Sequence, residues 1–229
     1  MKLLLTNDDG IDAPGLATLR RVAAMLGEPI LVAPLEAHSG CSHRVTTGRP
    51  IQVLRRQADR FGVDGTPADC VRLALHGLAA NAAWVLAGIN EGGNLGADVY
   101  HSGTVAAVRE AVLHGKPGIA LSHYHKGGLP INWGRAATWV KTLLNDLLAR
   151  PMASGTFWNI NLPHLDDNQP NPEVVFCPLD PGPLPLRFRA EGDCWHYDGN
   201  YHERPRMTGS DVDVCFAGNI AVTRITLPC

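Results

Sequence analysis

The sequence predicts an α/β protein: a mostly parallel sheet covered by helices on both faces, followed by a β-rich C-terminal arm. Short apolar runs that read as buried strands alternate with segments of helical period through about two-thirds of the chain, the pattern of successive βαβ units. From about Pro163 the texture changes, because prolines crowd between Pro163 and Pro185 and the helical period disappears. That change divides the chain into a core over residues 1–165 and an arm over residues 166–229, the latter too short to stand as an independent domain.

The elements follow in order. Lys2 to Thr6 is an apolar run stopped by Asn-Asp-Asp-Gly, and Gly15 to Leu26 places Leu16, Leu19, Val22, Ala23 and Leu26 on one helical face. Pro29 to Ala33 is a second strand, after which Leu35 to Pro50 is a long polar loop without clear period. Thr66-Pro67-Ala68-Asp69 reads as a helix start, with Thr66 as N-cap and Asp69 at the third helical position, running to about Ala80. Trp84 to Ile89 is a third strand, Asn90 to Gly103 a glycine-rich polar loop, and Thr104 to Leu113 a helix with Ser102 as N-cap. Gly118 to Ser122, Arg135 to Leu148 and Phe157 to Leu162 give strand, helix and strand. In the arm, Asp198-Gly199-Asn200 between two aromatic-rich segments is a hairpin signal, and Asn219 to Leu227 is a last strand. Lying outside the sheet, such an arm is placed to serve contacts between subunits.

Composition narrows the function. A length of 229 residues with 45% hydrophobic side chains supplies one large core, and 18% charged residues is below the roughly 25% usual for soluble domains. Twenty Lys and Arg against 22 Asp and Glu leave a net charge of -2 with no basic block, so no nucleic-acid polymer is expected as partner, and any bound nucleotide is small. No stretch reads as a signal peptide or a membrane span, so no membrane partner is expected. Six scattered cysteines without a Cys-x-x-Cys pair point to reduced thiols and a cytoplasmic location.

Three polar loops follow strands, from Asn7, Leu35 and Asn90, and in an open α/β sheet such loops converge outside the carboxyl ends of the strands. Asp8 and Asp9 offer adjacent hard oxygens to a cation such as Mg²⁺ or Mn²⁺, although Asp-Asp-Gly equally suits a turn with capping aspartates. His101-Ser102-Gly103-Thr104 opens a helix, where unpaired N–H groups, the helix dipole and two hydroxyls favour an anion; the bland reading is an ordinary serine cap. Asn90 and Asn94 crowd the loop before it with amides able to bind metal or phosphate oxygens. Neither a Walker A sequence nor a Gly-x-Gly-x-x-Gly fingerprint is present.

Four separated motifs resemble the SurE family. They are Leu5-Thr6-Asn7-Asp8-Asp9-Gly10-Ile11 with Gly15, Val32-Ala33-Pro34 with Ser39-Gly40, Gly65-Thr66-Pro67-Ala68-Asp69-Cys70-Val71, and Gly88-Ile89-Asn90 through Gly103-Thr104-Val105. The likeness runs from Met1 to about Ser122, weakens through Asn159-Ile160-Asn161-Leu162-Pro163 and returns in Gly209-Ser210-Asp211-Val212. It implies a three-layer Rossmann-like sandwich and a metal-dependent phosphomonoesterase of nucleoside 5′- and 3′-monophosphates, extending in some members to short-chain polyphosphate. It also implies one divalent metal ion per subunit, held by Asp8, Asp9, Ser39 and Asn90, with phosphate bound by Asn94, Ser102, Gly103 and Thr104. Asp8, Asp9 and Asn94 are then the catalytic residues, and the exchanged arm implies a homodimer or homotetramer. Two departures stand out. Leu35-Glu36-Ala37-His38 replaces a stretch that usually has Asp-Arg or Asp-Lys character, and the chain stops at Cys229 where many relatives continue, so the swapped-arm assembly is expected to be reduced or altered.

Other residues carry weaker signals. His38 with His43 and His123 with His125 have spacings that admit a metal but lack a third partner, and His101 is placed to protonate a leaving group. Cys70 reads as a buried helix residue, while Trp195, Tyr197 and Tyr201 fit either base stacking or cross-strand packing. The rival to an enzyme is a non-catalytic nucleotide-binding sensor on the same fold. Such a sensor needs the anion loop but not two carboxylates beside it, which would repel phosphate without a cation.

Overall fold

The computed structural model describes residues 1–127 and 129–227. Eleven strands and five α-helices lie among them: β1 (Lys2–Thr6), α1 (Pro14–Ala23), β2 (Glu28–Pro34), β3 (Val53–Gln57), β4 (Arg60–Val63), α2 (Pro67–Leu73), β5 (Trp84–Glu91), α3 (Gly103–Leu113), β6 (Gly118–His123), α4 (Trp133–Leu147), β7 (Thr156–Leu162), β8 (Val174–Phe176), β9 (Phe188–Glu191), β10 (Cys194–Tyr197), α5 (Asp211–Phe216) and β11 (Ile220–Thr226).

Nine strands form one sheet in the order β3-β4-β2-β1-β5-β6-β7-β11-β8. Every pairing from β4 to β7 is parallel. β1 shows why two helical layers are needed. Its side chains alternate, Leu3 and Leu5 entering the core under α1 and α4 and Leu4 entering the opposite core under α2 and α3, all without solvent exposure. The expected three-layer α/β sandwich is present.

The chain leaves β1 for β2 on one side and later returns to β5 on the other, so the strand order reverses between β1 and β5. In such sheets the crevice beyond the carboxyl ends at this switch point is where ligands bind. The loops that follow β1 and β5 meet there.

The differences from expectation have local causes. No strand was read between Ile51 and Val63, yet β3 and β4 form an antiparallel pair. β3 is exposed along its whole length and carries Arg55, Arg56 and Gln57, the charged character that protects a sheet edge and hides the apolar alternation. The helix expected to reach Ala80 ends at Leu73 and continues as a wider turn over Ala74–Leu78. In the C-terminal segment β11 pairs antiparallel with β7 and β8 pairs parallel with β11, so both belong to the main sheet rather than to an arm outside it. α5 is a helix where no helical period was read, six residues being too short to show one. The hairpin is β9–β10, turning at Gly192-Asp193 rather than at Asp198-Gly199-Asn200. Gly192 has φ of 59°, as the first central position of a type II′ turn requires, whereas Tyr201–Glu203 is a short 3₁₀ turn. No helix among the described residues is long and apolar enough to cross a membrane.

Candidate active site

Asp8 and Asp9 follow β1 directly. The turn they open is closed by Asn7, whose Nδ2 donates to the Gly10 carbonyl at 2.8 Å, and Gly10 takes a φ of 100° that a side chain would oppose. The other amide atom, Asn7 Oδ1, is buried without a hydrogen-bond partner among the described residues.

Asp8 is 3% exposed and its carboxylate lies against the N-terminus of α3, accepting the Thr104 hydroxyl and the N–H groups of Gly103 and Thr104. The Asp8 carbonyl accepts the His38 N–H at 2.7 Å, and Asp9 Oδ2 accepts the Glu91 N–H at 3.1 Å. Asp8 therefore joins β1 to α3 and to the loop after β2, while Asp9 joins β1 to the end of β5. Gly103 permits the first of these contacts: a Cβ there would lie 2.8 Å from Asp8 Cβ and 2.9 Å from Cys41 Sγ.

Burial pushes the Asp8 carboxyl above the usual carboxylate range in spite of its hydrogen bonds. Asp9 is raised to about 6, first by burial and then by the neighbouring Asp8 charge. Neither forms an ion pair with Lys, Arg or His among the described residues. Two adjacent carboxylates in a crevice without a counter-charge suit a divalent cation, which bonds oxygen and supplies the missing charge.

Asn90 stands one strand away. A bulge between Ala87 and Asn90 shifts the register of β5, and Asn90 Nδ2 donates to the Gly92 carbonyl at 2.8 Å, leaving the side-chain oxygen as the available ligand atom. Gly88 makes this bulge possible, because at φ of 132° its Cβ would sit 2.2 Å from the Leu121 carbonyl oxygen. Ser39 is exposed in a loop pinned on both sides: His38 binds the Asp8 carbonyl, and Ser42 donates its N–H to His101 at 3.0 Å and its hydroxyl to Tyr100 at 2.7 Å. Hydrogen bonds thus bring Asp8, Asp9, the end of β5 beside Asn90 and the loop that carries Ser39 together beyond the carboxyl ends of the strands. Two carboxylates with an amide and a hydroxyl form an all-oxygen set, although no group of three His, Cys, Asp or Glu side chains able to hold a metal occurs among the described residues.

At the start of α3, Ser102 is the N-cap, accepting the Val105 N–H at 3.0 Å. The N–H groups of Gly103 and Thr104 and the Thr104 hydroxyl, expected to face an anion, are turned to Asp8. Asn94 is buried and held from three directions. Its N–H donates to Asn161 Oδ1 at 2.7 Å, its carbonyl accepts Asn159 Nδ2 at 2.8 Å and Asn161 Nδ2 at 3.1 Å, and its own Nδ2 donates to Ser122 Oγ at 2.7 Å. Residue reasoning missed these roles of Ser122, Asn159 and Asn161. Their signal was two amides spaced by two on one face of an apolar strand, where a buried polar side chain needs a partner.

The histidines separate. His43 Nε2 pairs with Glu110 Oε2 at 2.7 Å, away from His38. The His123 and His125 rings both approach His164, at 5.8 and 5.7 Å between centroids, but His123 is buried against Trp139 and hydrogen-bonded to the Tyr124 carbonyl. His101 is exposed at the mouth of the loop. Cys70 is fully buried, and burial raises its thiol well above the usual range, so it is inert. Trp195 is 71% exposed on the hairpin and Tyr197 packs on Phe188, whereas Tyr201 is directed at Asp98 in the β5–α3 loop.

Comparison with known proteins identifies the family and the fold. The family model described as "Survival protein SurE" matches residues 3–179. A protein of Nostoc sp. (strain PCC 7120) named "Putative 5'-nucleotidase alr3139" is 51% identical over 226 residues, covering 98% of this chain and 99% of the relative. The "5'-nucleotidase SurE" of Geotalea uraniireducens is 36% identical, covering 99% and 93%. The crystal structure of the SurE protein from Aquifex aeolicus superposes with a TM-score of 0.88 at 28% identity, covering all of this chain and 94% of that one. With the Asp8–Asp9 crevice at the switch point of a matching sheet, and the family model spanning most of its length, the chain belongs to the SurE family.

Proposed function

We propose that this SurE-family enzyme is a metal-dependent phosphomonoesterase that hydrolyses nucleoside 5′- and 3′-monophosphates, and short-chain polyphosphate as a secondary substrate. The observation that carries the reading is the pair of adjacent carboxylates at the switch point, without an ion-pair partner among the described residues, Asp8 being set against the N-terminus of α3. The names of the relatives as 5′-nucleotidases support the substrate class.

One divalent ion, Mg²⁺ or Mn²⁺, would be held by Asp8, Asp9, Asn90 and Ser39; when bound it neutralises phosphoryl charge and lowers the pKa of an attacking water. The residues supply the rest. Asp8 is fixed by its donors on α3, while Asp9 commits one oxygen to Glu91 and keeps the other for the crevice. Asn94 and Ser102 bind phosphate oxygens directly. Gly103 and Thr104, already serving Asp8, contribute the positive end of the helix dipole. Hydrolysis breaks the ester P–O bond as water adds in line, and the leaving oxygen takes a proton.

The test is release of inorganic phosphate from a panel of 5′- and 3′-nucleoside monophosphates and short polyphosphate, with Mn²⁺ or Mg²⁺ and with chelator. Metal-dependent release ranks the substrates. No release with any metal, together with retained nucleotide binding, would make the chain a sensor.

We also assign assembly into a homodimer or homotetramer to the β9–β10 hairpin, where Phe188, Trp195 and Tyr197 are exposed, and to Leu186, exposed just before it. A monomer by light scattering at micromolar concentration would remove that role. Cys41, Cys70, Cys177, Cys194 and Cys215 are all free thiols, which supports a reducing, cytoplasmic setting.

A further inference from the structure

The segment Tyr201–Arg204 comes from near the far end of the chain and lands on the loop between β5 and α3. Asp98 lies within that loop and is 9% exposed. Its carboxylate accepts the Leu95 N–H at 3.1 Å and the Tyr201 hydroxyl at 2.5 Å, with Arg204 Nη1 at 3.4 Å from both oxygens. Arg204 is 4% exposed; its Nη2 donates to the Leu95 carbonyl at 3.1 Å and its guanidinium lies 4.5 Å over the Tyr201 ring. A second grip comes from α5, where Asp211 Oδ2 accepts the Gly96 N–H at 2.9 Å. Leu95, Gly96 and Asp98 stand directly between Asn94 and Ser102, the two groups assigned to phosphate.

Burying a carboxylate and a guanidinium is a poor way to gain stability, since desolvation offsets most of their attraction. What a rigid guanidinium spanning the Asp98 carboxylate and the Leu95 carbonyl provides is fixed geometry. Asp8 and Asp9, by contrast, are held by α3, Glu91 and the His38 loop, and among the described residues none of these partners is hydrogen-bonded to Tyr201 or Arg204.

We propose that Tyr201 and Arg204 are positioning residues of the active site: by clamping Asp98 they set the loop that presents Asn94 and Ser102, so that the C-terminal end of the chain controls the phosphate side of the site. The proposal rests on the phosphomonoesterase reading. It bears unequally on the two halves of the site: loosening the clamp disturbs phosphate binding directly and reaches the cation side only through the Ser42 contacts to Tyr100 and His101 that hold the Ser39 loop.

Tyr201→Phe tests it, removing the hydroxyl from Asp98 while keeping the ring under Arg204. The expected result is a kcat reduced roughly ten- to a hundredfold, in proportion to the usual cost of a misplaced reacting group. KM rises and affinity for inorganic phosphate by calorimetry falls, Mn²⁺ affinity falls much less than phosphate affinity, and the melting temperature drops by no more than a few degrees, the cost of one buried hydrogen bond. Wild-type kcat, KM and phosphate affinity would overturn the proposal, as would a parallel loss of phosphate and Mn²⁺ affinity that tracks a lower melting temperature. Should Tyr201→Phe not fold, Arg204→Lys is read the same way, its point charge being unable to span Asp98 and Leu95 together. If the wild-type protein turns over no monoester, the function reading fails, and phosphate affinity alone decides the clamp: weaker in Tyr201→Phe supports it, unchanged overturns it.

Discussion

Replacing Asp8 by Asn is expected to lower metal-dependent phosphate release by about a thousandfold, the loss that follows removal of a group stabilising transition-state charge. The fold should survive. Asn keeps an oxygen for the Thr104 hydroxyl and the N–H groups at the start of α3, and asparagine caps helices about as well as aspartate. It also removes a buried charge beside Asp9, so the melting temperature should stay within a few degrees. The variant therefore separates chemistry from stability: a carboxylate that burial pushes above its usual range contributes little to the fold, and the proposed cation would account for its place. Steady-state kinetics with Mn²⁺ and a thermal melt on the same preparation check both halves. Full turnover in Asp8→Asn would reduce Asp8 to a turn residue capping α3, and the catalytic role would have to move to Asp9.

Most of the parallel core was legible because β1, β5, β6 and β7 are largely buried on both faces and α1 and α4 each show one apolar stripe. Leu3, Leu4 and Leu5 are all buried, and Leu16, Leu19 and Val22 fall on the buried face of α1. Residues whose placement is set by long-range pairing were not legible. β8 is three residues long and only its pairing with β11 makes it a strand; β3 is wholly exposed, so nothing in its side chains marks it. The hairpin turn was misplaced because Asp-Gly-Asn and Gly-Asp are comparable turn signals, and the choice between them is made by the pairing of Phe188 with Tyr197.

The site divides the same way. Asp8, Asp9 and the Ser102 cap were visible from the residues, since adjacent carboxylates at a strand end and a hydroxyl at a helix start announce themselves. Ser39 came from family resemblance alone; the structure leaves it exposed in a pinned loop. The orientation of the α3 donors toward Asp8 could not be read from sequence, because 96 residues separate Thr104 from Asp8 and only the fold brings them together. The same holds for Tyr201 and Asp98, 103 residues apart. A tyrosine next to a turn signal reads as hairpin packing until the strap is seen to fold back.

Gly15→Ala should be strongly destabilising although it adds a single methyl group to a helix. Propensity argues the other way, since alanine favours a helix over glycine by about 1 kcal/mol. Contact decides. A Cβ on Gly15 would lie 1.9 Å from the Ile89 carbonyl oxygen and 2.9 Å from its carbon, both backbone atoms, and 3.1 Å from Trp133 Cη2. No rotamer change relieves a clash between a Cβ and a backbone carbonyl, so α1 must lift from β5 or the β5 bulge must move. A cost of about 3 kcal/mol is expected for such overpacking. For a chain of this size that lowers the melting temperature by roughly 6–12 °C. Because Ile89 precedes Asn90, the displacement also reaches the metal-side oxygen, and Mn²⁺ affinity measured well below the transition should fall as well. Gly77→Ala supplies the contrast: nothing lies within 4 Å of its added Cβ, so the melting temperature should hold or rise slightly. A Gly15→Ala protein that melts with the wild type would mean that α1 packs more loosely on β5 than this close approach requires, and that the glycine is not what sets the spacing of α1 from the Asn90 bulge.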